Sequence, residues 1–148
     1  MTSAAVYGTG SWGTAYASVL AEAGTSVTMG GRRQEVVDQI NAGTNEDYLP
    51  ELRLPGTIRA TTDPFEAAAG ADIVVLAVPS QTLRANLEVW GSALPSSAAI
   101  VSLMKGVELG TTRRMSEVIS EVGGVEPERV GIVSGPNLAR EIAVKQPA

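Results

Sequence analysis

Neither cysteine nor histidine occurs anywhere in this sequence. Without cysteine there can be no disulfide and no thiolate nucleophile, and without histidine there can be no Ser-His-Asp triad and no histidine acid–base pair. Zinc sites built from these two residue types are excluded as well. Aromatic residues are scarce, with one Phe, two Trp and three Tyr, so the core must be mainly aliphatic. Carboxylates, lysine, hydroxyls and backbone amides are left to carry any chemistry.

Length and charge narrow the class of protein further. The 148 residues, 44% of them hydrophobic, fit a single globular domain. The net charge is −5 and no basic cluster is present, which argues against a nucleic-acid partner. No run approaches the ~20 apolar residues of a membrane span, and Met1–Ala5 lacks the positive charge of a signal peptide. We therefore expect a soluble, cytoplasmic domain.

Short apolar runs rich in Val and Ile recur along the chain, as is typical of strands buried on both faces of a parallel sheet. They span Ala4–Tyr7, Ser26–Met29, Ile73–Val78, Ala99–Met104 and Val130–Val133, with a shorter strand near Ile58–Ala60 inside the long loop Thr44–Thr62. Helical spacing predicts helices at Gly13–Ala23, around Val36–Ile40, at Gln81–Trp90 with Ser80 as N-cap, at Thr112–Val122 and at Leu138–Val144. The alternation predicts an α/β domain with a doubly wound, mostly parallel sheet.

The strongest local signal is the segment Gly8–Gly13, a G-x-G-x-x-G pattern between the first strand and the first helix. Gly8 permits a tight turn, Gly10 lets the backbone approach a pyrophosphate, and Gly13 lets the helix pack closely on the strand. The N-terminus of the helix adds free N–H groups for phosphates. The pattern alone is weak, but its context fits on both sides, so it predicts a dinucleotide site. Trp12 in this loop either closes the core or stacks near the cofactor or substrate.

About 20 residues beyond the glycines, an acid that binds the ribose 2′-hydroxyl of NAD is expected. The sequence has no acid there, because Arg32 and Arg33 follow the second strand. Guanidinium groups cannot accept a hydrogen bond from a hydroxyl, but they pair with a 2′-phosphate and stack on adenine. The two arginines therefore favour NADPH over NADH, against the alternative of a solvated pair at a helix start.

Other polar residues also follow predicted strands. Lys105 follows the run that ends at Met104, and the segment Ser134–Asn137 follows the last run. Ligands bind at the carboxyl ends of the strands in open parallel sheets, so these residues are expected on the same edge as the glycine loop. Position alone supports a solvated loop lysine as strongly as a functional one.

Four motifs in this sequence resemble those of bacterial NAD(P)-dependent glycerol-3-phosphate dehydrogenases. They are Gly8–Ala15, Asn45–Pro50, Lys105–Glu108 and Ser134–Ala139, in the family's order and across essentially the whole chain. Many dehydrogenases share the glycine fingerprint, whereas its combination with the Lys-Gly and Ser-Gly-Pro motifs is specific. The resemblance implies that residues 1–148 form the Rossmann-like N-terminal domain of a two-domain dehydrogenase, whose helical C-terminal substrate domain lies outside this chain.

The resemblance also implies roles for individual residues. Cofactor contacts are implied for Gly8, Gly10, Ser11, Trp12, Gly13, Arg32, Arg33, Tyr48, Lys105 and Ala139. Lys105 would also contact the substrate as the catalytic residue of this chain, and Gly135 and Asn137 would help to hold that substrate. No metal is implied. The family's proton-acceptor lysine would lie in the second domain, so this chain alone is expected to bind NADPH, or NADH, without catalysing a reaction.

The implied reaction is reversible hydride transfer between NAD(P)H and dihydroxyacetone phosphate, which gives sn-glycerol 3-phosphate for glycerophospholipid synthesis. A lysine ammonium suits this reaction because it can polarise the carbonyl and stabilise the developing alkoxide. The sequence departs from the family at Gly30, since a bulky aromatic residue is common just before the arginines. We expect a looser adenosine pocket at this position.

Two alternatives stay open. One is another two-domain NADP-dependent dehydrogenase, of the ketopantoate or 6-phosphogluconate type, which shares the glycine loop but is not expected to combine it with the other motifs. The second is a non-catalytic module that senses NADPH. A short-chain reductase is excluded because no tyrosine is followed four residues later by lysine, and a P-loop NTPase because no lysine completes G-x-x-x-x-G-K. A homodimer is neither indicated nor excluded.

Overall fold

The computed structural model describes residues 1–147, which contain one six-stranded sheet. Its strands are β1 Ser3–Tyr7, β2 Ser26–Gly30, β3 Ile58–Thr61, β4 Ile73–Leu76, β5 Ala99–Ser102 and β6 Val130–Ile132. All neighbouring strands run parallel, in the order β3-β2-β1-β4-β5-β6. The predicted α/β domain with a doubly wound parallel sheet is confirmed.

Helices connect the strands. They are α1 Ser11–Glu22, α2 Gln34–Asn41, α3 Pro64–Ala68, α4 Leu83–Trp90, α5 Met115–Gly123 and α6 Ala139–Ala143. The helix α1 ends just before Gly24, whose φ of 92° lies in the left-handed region that glycine enters at little cost. Within residues 1–147, no helix is long and apolar enough to cross a membrane.

The sequence did not predict α3, which is only five residues long and therefore has too few turns for a periodic pattern. Its start carries two local signals. The carboxylate of Asp63 accepts a hydrogen bond from the backbone N–H of Phe65 at 2.9 Å, and Pro64 occupies the first turn. These caps allow a short helix to form beside β1.

Two predicted helix starts are wrong. Ser80 is not an N-cap, because Ser80–Thr82 form a 3-10 turn and α4 begins only at Leu83. The helix predicted from Thr112 begins at Met115. An antiparallel bridge between Val107 and Arg114 closes the preceding loop and delays the start of α5. Helical spacing reports neither the 3-10 turn nor the bridge, so it places both helix starts too early.

The strand order reverses between β1 and β4. The chain leaves β1, builds β2 and β3 on one side, and returns to pair β4 with the other side of β1. Successive residues of a strand face opposite sides of the sheet, so Leu76 packs in one hydrophobic cluster with Ile100. Its neighbour Val75 packs in the second cluster with Val6 and Met29. Helices cover both faces, and the crevice at the reversal is left open for a ligand.

Tyr7 closes the end of β1 beneath this crevice. Its ring stacks on Trp90 with ring centroids 4.1 Å apart, and its hydroxyl donates to the backbone carbonyl of Pro64. Burial, and to a smaller extent the nearby carboxylate of Asp63, raises the pKa of the Tyr7 phenol from its ordinary value of 10.0 to about 12. The folded state therefore holds the phenolic proton more tightly than the unfolded chain does.

This raised pKa predicts a loss of stability in alkaline solution. The contribution of Tyr7 is complete below about pH 10 and disappears as the pH rises towards about 12, where the folded phenol also ionises. Tyr7→Phe should lower the free energy of unfolding near neutral pH by about 1 kcal/mol through the lost hydrogen bond, and should flatten its fall between these pH values. Urea unfolding curves through that window measure both effects. Tyr16→Phe is the control, and a fall as steep in Tyr7→Phe as in the unaltered chain would contradict the prediction.

Candidate functional site

A cavity of about 590 Å³ opens at the carboxyl ends of β1, β2 and β4. The glycine loop Gly8–Gly13 lines one side, and the segments 30–32 and 77–79 line others. The stacked rings of Tyr7 and Trp90 also line it. Open α/β sheets bind their ligands where the strand order reverses, and the predicted glycine loop lies at that point.

Packing requires two of the three motif glycines. Gly8 has a φ of 111°, and a Cβ at this position would lie 2.4 Å from the carbonyl oxygen of Ala77. A Cβ at Gly13 would lie 2.2 Å from the carbonyl oxygen of Gly8. Neither position has room for a side chain, because the end of β4 and the first turn of α1 both lie against the loop.

Gly10 is different from these two glycines. Its φ of −74° and ψ of −173° are open to any residue. A Cβ at Gly10 would meet nothing within 4 Å. Neither conformation nor packing against the described residues requires glycine here. Gly10 lines the cavity. The remaining reason for glycine at this position is therefore that it lets a ligand approach the backbone closely.

The N-terminus of α1 is suited to an anion. Its N-cap, Gly10, offers no side chain, and the first turn contains no acidic residue. The first N–H that bonds back into the helix belongs to Thr14, which donates to the Gly10 carbonyl at 3.0 Å. The earlier N–H groups and the positive end of the helix dipole are therefore available to phosphate oxygens. These residues fit the pyrophosphate of a dinucleotide.

A buried amide fastens the long loop after α2 to the glycine loop. The Nδ2 atom of Asn45 donates to the Thr9 carbonyl at 2.9 Å and to the Thr14 hydroxyl at 2.8 Å. The hydroxyl of Ser11 donates to the backbone carbonyl of Tyr48 at 2.7 Å, and Tyr48 lines the cavity. The sequence showed Asn45 only as part of a motif, because nothing local to the loop reveals that its side chain is buried.

The two predicted arginines lie in different environments. Arg32 is exposed, lines the cavity, and makes no ion pair within residues 1–147. Arg33 does not line the cavity, and its guanidinium contacts Glu35 at 2.8 Å and Asp47 at 3.2 Å. The hydrogen bond to Glu35 raises the pKa of the Arg33 guanidinium. Only Arg32 therefore presents an unneutralised guanidinium to the cavity.

The space beside Gly30 is already filled. A Cβ at Gly30 would lie 2.9 Å from Cδ1 of Tyr7 and 3.2 Å from Cβ of Ala67. The expectation that glycine loosens the adenosine pocket here is therefore wrong. The ring of Tyr7 on the neighbouring strand and the helix α3 occupy the space that a side chain at position 30 would take.

The predicted substrate residues form a second group at the same edge of the sheet. The ammonium of Lys105 donates to the carbonyl of Gly135 at 2.9 Å, and a Cβ at Gly135 would lie 3.3 Å from Nδ2 of Asn137. Asn137 lines a second cavity of about 470 Å³. Trp12 lines both cavities, whereas Ala139, the first residue of α6, lines neither.

The loop that follows Lys105 is held by α4 and the turn before it. Both carboxylate oxygens of Glu108 accept hydrogen bonds from Arg84, at 3.0 and 2.9 Å, and these bonds lower the pKa of Glu108. The amide of Gln81 bonds to the backbone of Val107 and Leu109, at 2.9 Å in each case. Sequence reasoning missed Gln81 and Arg84, whose partners lie more than twenty residues away.

Comparison with known proteins gives concordant results. The family model described as NAD-dependent glycerol-3-phosphate dehydrogenase N-terminus matches residues 3–148. The glycerol-3-phosphate dehydrogenase (NAD(P)+) of Streptomyces griseus is 60% identical over 146 residues, which cover 98% of this chain and 44% of that protein. This chain thus spans less than half the length of that relative.

Solved structures agree with the sequence match. The crystal structure of glycerol-3-phosphate dehydrogenase from Coxiella burnetii has a TM-score of 0.88 and 32% identity, and the similarity covers 99% of this chain and 45% of that one. A ketopantoate reductase from Ralstonia eutropha has a TM-score of 0.62 at 24% identity over 89% of this chain and 40% of that one. The second likeness shows only a shared fold.

The contrast between Gly10 and Gly13 predicts that alanine mainly lowers stability at position 13 and mainly weakens cofactor binding at position 10. Gly13→Ala should lower the free energy of unfolding by about 1–3 kcal/mol, because its Cβ overlaps backbone. Gly10→Ala should cost less than about 1 kcal/mol, yet should weaken NADPH binding at least about tenfold by filling the ligand's place. Thermal unfolding and calorimetric titration measure the two quantities. Unimpaired NADPH binding by Gly10→Ala would contradict the assignment of this glycine to a ligand.

Proposed function

This chain belongs to the family of NAD-dependent glycerol-3-phosphate dehydrogenase N-termini, and from that premise we propose that it is the cofactor-binding half of an enzyme that reduces dihydroxyacetone phosphate to sn-glycerol 3-phosphate. The observation that carries the proposal is the side-chain-free, uncapped N-terminus of α1 facing the cavity at Gly10. The product is a precursor for glycerophospholipids, and we place the reaction in the cytoplasm, where NADPH and a phosphorylated three-carbon substrate are both available.

The cavity provides separate places for the parts of a dinucleotide. The backbone of Gly10–Gly13 and the start of α1 would hold the pyrophosphate, and the guanidinium of Arg32 would pair with the 2′-phosphate. Tyr48 lines the same cavity and would cover the adenosine. When bound, the cofactor supplies the hydride for reduction. The carboxylates of Glu35 and Asp47 already pair with Arg33. In this proposal Arg33 therefore affects the cofactor mainly through these neighbours and not by direct contact.

Lys105 is the residue of this chain that we assign to substrate. Its ammonium has one neutral partner, the carbonyl of Gly135, and so keeps both its positive charge and two further N–H donors. It would orient the substrate, polarise its carbonyl and stabilise the alkoxide that develops during reduction. Gly135 and Asn137 would support the same substrate, and Ala139 would contact the cofactor. The proton acceptor would come from the part of the enzyme outside this chain.

The assignment of Arg32 predicts a loss of affinity confined to one cofactor. Arg32→Ala should raise the Kd for NADPH by about 10- to 100-fold, because it removes charge-assisted hydrogen bonds to the 2′-phosphate. The Kd for NADH should change little, since NADH carries a hydroxyl at that position. Fluorescence titration of the chain with each cofactor measures this. Equal losses for the two cofactors would show that Arg32 does not recognise the phosphate.

Replacement of single cations allows a matched test of the reaction. In the full-length protein, Lys105→Ala should reduce the oxidation of NADPH by dihydroxyacetone phosphate by about 100- to 1,000-fold. Arg59→Ala should leave it nearly unchanged, because Arg59 is exposed and lines neither cavity. The decrease in NADPH absorbance measures the rate. A full-length protein that binds NADPH but shows no oxidation with this substrate would favour the alternative of an NADPH-sensing module.

A further inference from the structure

Arg33 lies between two acids that come from different parts of the chain. Its Nε donates to Glu35, in the first turn of α2, at 2.8 Å, and its Nη2 donates to Asp47, in the long loop, at 3.2 Å. Its Nη1 lies 3.5 Å from the hydroxyl of Tyr48, which lines the cavity. The group of charges therefore extends to the edge of the cavity.

The Asp47 carboxylate is held in place rather than free to move away. The amide of Gln39 donates to Asp47 Oδ1 at 3.4 Å, and the oxygen of the same amide accepts from the backbone N–H of Glu46 at 2.9 Å. One side chain of α2 thus fixes both the loop backbone and the acid on it. The carboxyl of Glu35 is also fixed in its charged form. Hydrogen bonds from its own backbone amide and from Arg33 lower its pKa.

Stability gives little reason for this arrangement. The side chains of Arg33 and Glu35 are 49% and 61% exposed, and exposed ion pairs contribute little to the free energy of folding. The two acids have a larger effect on the binding of a charged ligand than on the stability of the fold. Arg32 and Arg33 bring two positive charges to this edge, and Glu35 and Asp47 bring two negative charges, both of which contact Arg33. A phosphomonoester carries nearly two negative charges near neutral pH, whereas a ribose hydroxyl carries none.

We propose that Glu35 and Asp47 set the cofactor preference of this domain, by neutralising Arg33 and so lowering the affinity for NADPH while leaving the affinity for NADH unchanged. The inference rests on the proposed function, because it needs a dinucleotide in the cavity. Arg32 supplies the attraction for the 2′-phosphate, and the two acids limit it. The domain thereby accepts both forms of the cofactor instead of selecting strongly for one.

The test is direct binding of NADPH and of NADH to the 148-residue chain, with circular dichroism to show that each variant is folded. Glu35→Gln and Asp47→Asn keep the shape of each side chain and remove its charge. Each should lower the Kd for NADPH about two- to fivefold and leave the Kd for NADH unchanged. The double variant should show the larger gain, and the gain should shrink as salt is added. Glu46→Gln is the matched control, since it removes the adjacent loop charge that does not contact Arg33.

The outcomes separate the inference from the proposed function. A rise in the ratio of NADH to NADPH Kd values in the acid variants, with none in Glu46→Gln, supports the inference. An unchanged ratio, or weaker NADPH binding because the acids serve only to position Arg33, overturns it and leaves the proposed function intact. A folded, unaltered chain that binds neither cofactor overturns both.

Discussion

The turn between β1 and α1 packs so closely against the end of β4 and the first turn of α1 that neither Gly8 nor Gly13 has room for a side chain. A Cβ at Gly8 would lie 2.4 Å from the Ala77 carbonyl oxygen, and one at Gly13 would lie 2.2 Å from that of Gly8. The same turn is bonded to both neighbouring strands, because the N–H of Gly8 donates to Gly30 and the N–H of Ala77 donates to Tyr7. One stretch of backbone thus sets the relative positions of three strand ends and the start of α1. The walls of the cavity follow from it.

The long loop is attached to that turn by the buried side chain of Asn45 and by a hydrogen bond from Ser11 to Tyr48. The Nδ2 atom of Asn45 bonds to Thr9 and Thr14, one on each side of Gly10, whereas its Oδ1 atom is buried with no hydrogen-bond partner among the described residues. This attachment brings Tyr48 to the cavity and Asp47 to Arg33. The loop is therefore part of the ligand site even though it belongs to neither the sheet nor the main helices. A change at Asn45 would affect the side of the cavity that Tyr48 lines, although Asn45 itself does not line the cavity.

The sequence was sufficient for the sheet and the glycine loop, because both are encoded locally. Buried parallel strands are continuous apolar runs. The spacing of the three motif glycines, Gly8, Gly10 and Gly13, can be read directly from the sequence. The starts of α4 and α5 were predicted too early, since a 3-10 turn precedes α4 and the Val107–Arg114 bridge closes the loop before α5. The error at Gly30 has a non-local cause, because Tyr7 on the neighbouring strand fills the space beside it. The sequence predicts a shared role for Arg32 and Arg33, but only the fold shows that Asp47 engages Arg33 and that Arg32 alone of the two lines the cavity.

The distribution of unneutralised charge along the carboxyl edge is consistent with a ligand set that has three anionic groups. Arg33 is matched by two carboxylates, whereas neither Arg32 nor Lys105 makes an ion pair within residues 1–147, and Lys105 bonds only to a carbonyl. The N-terminus of α1 adds a third positive position that no acid of its first turn occupies. A positive group without a paired acid attracts an anionic ligand. In the proposed reaction, Arg32 and the start of α1 would bind the 2′-phosphate and the pyrophosphate, and Lys105 would stabilise the alkoxide that develops on the substrate. If Glu35 and Asp47 weaken NADPH binding as proposed, the neutralisation of Arg33 distinguishes a site that accepts both cofactors from one that selects NADPH.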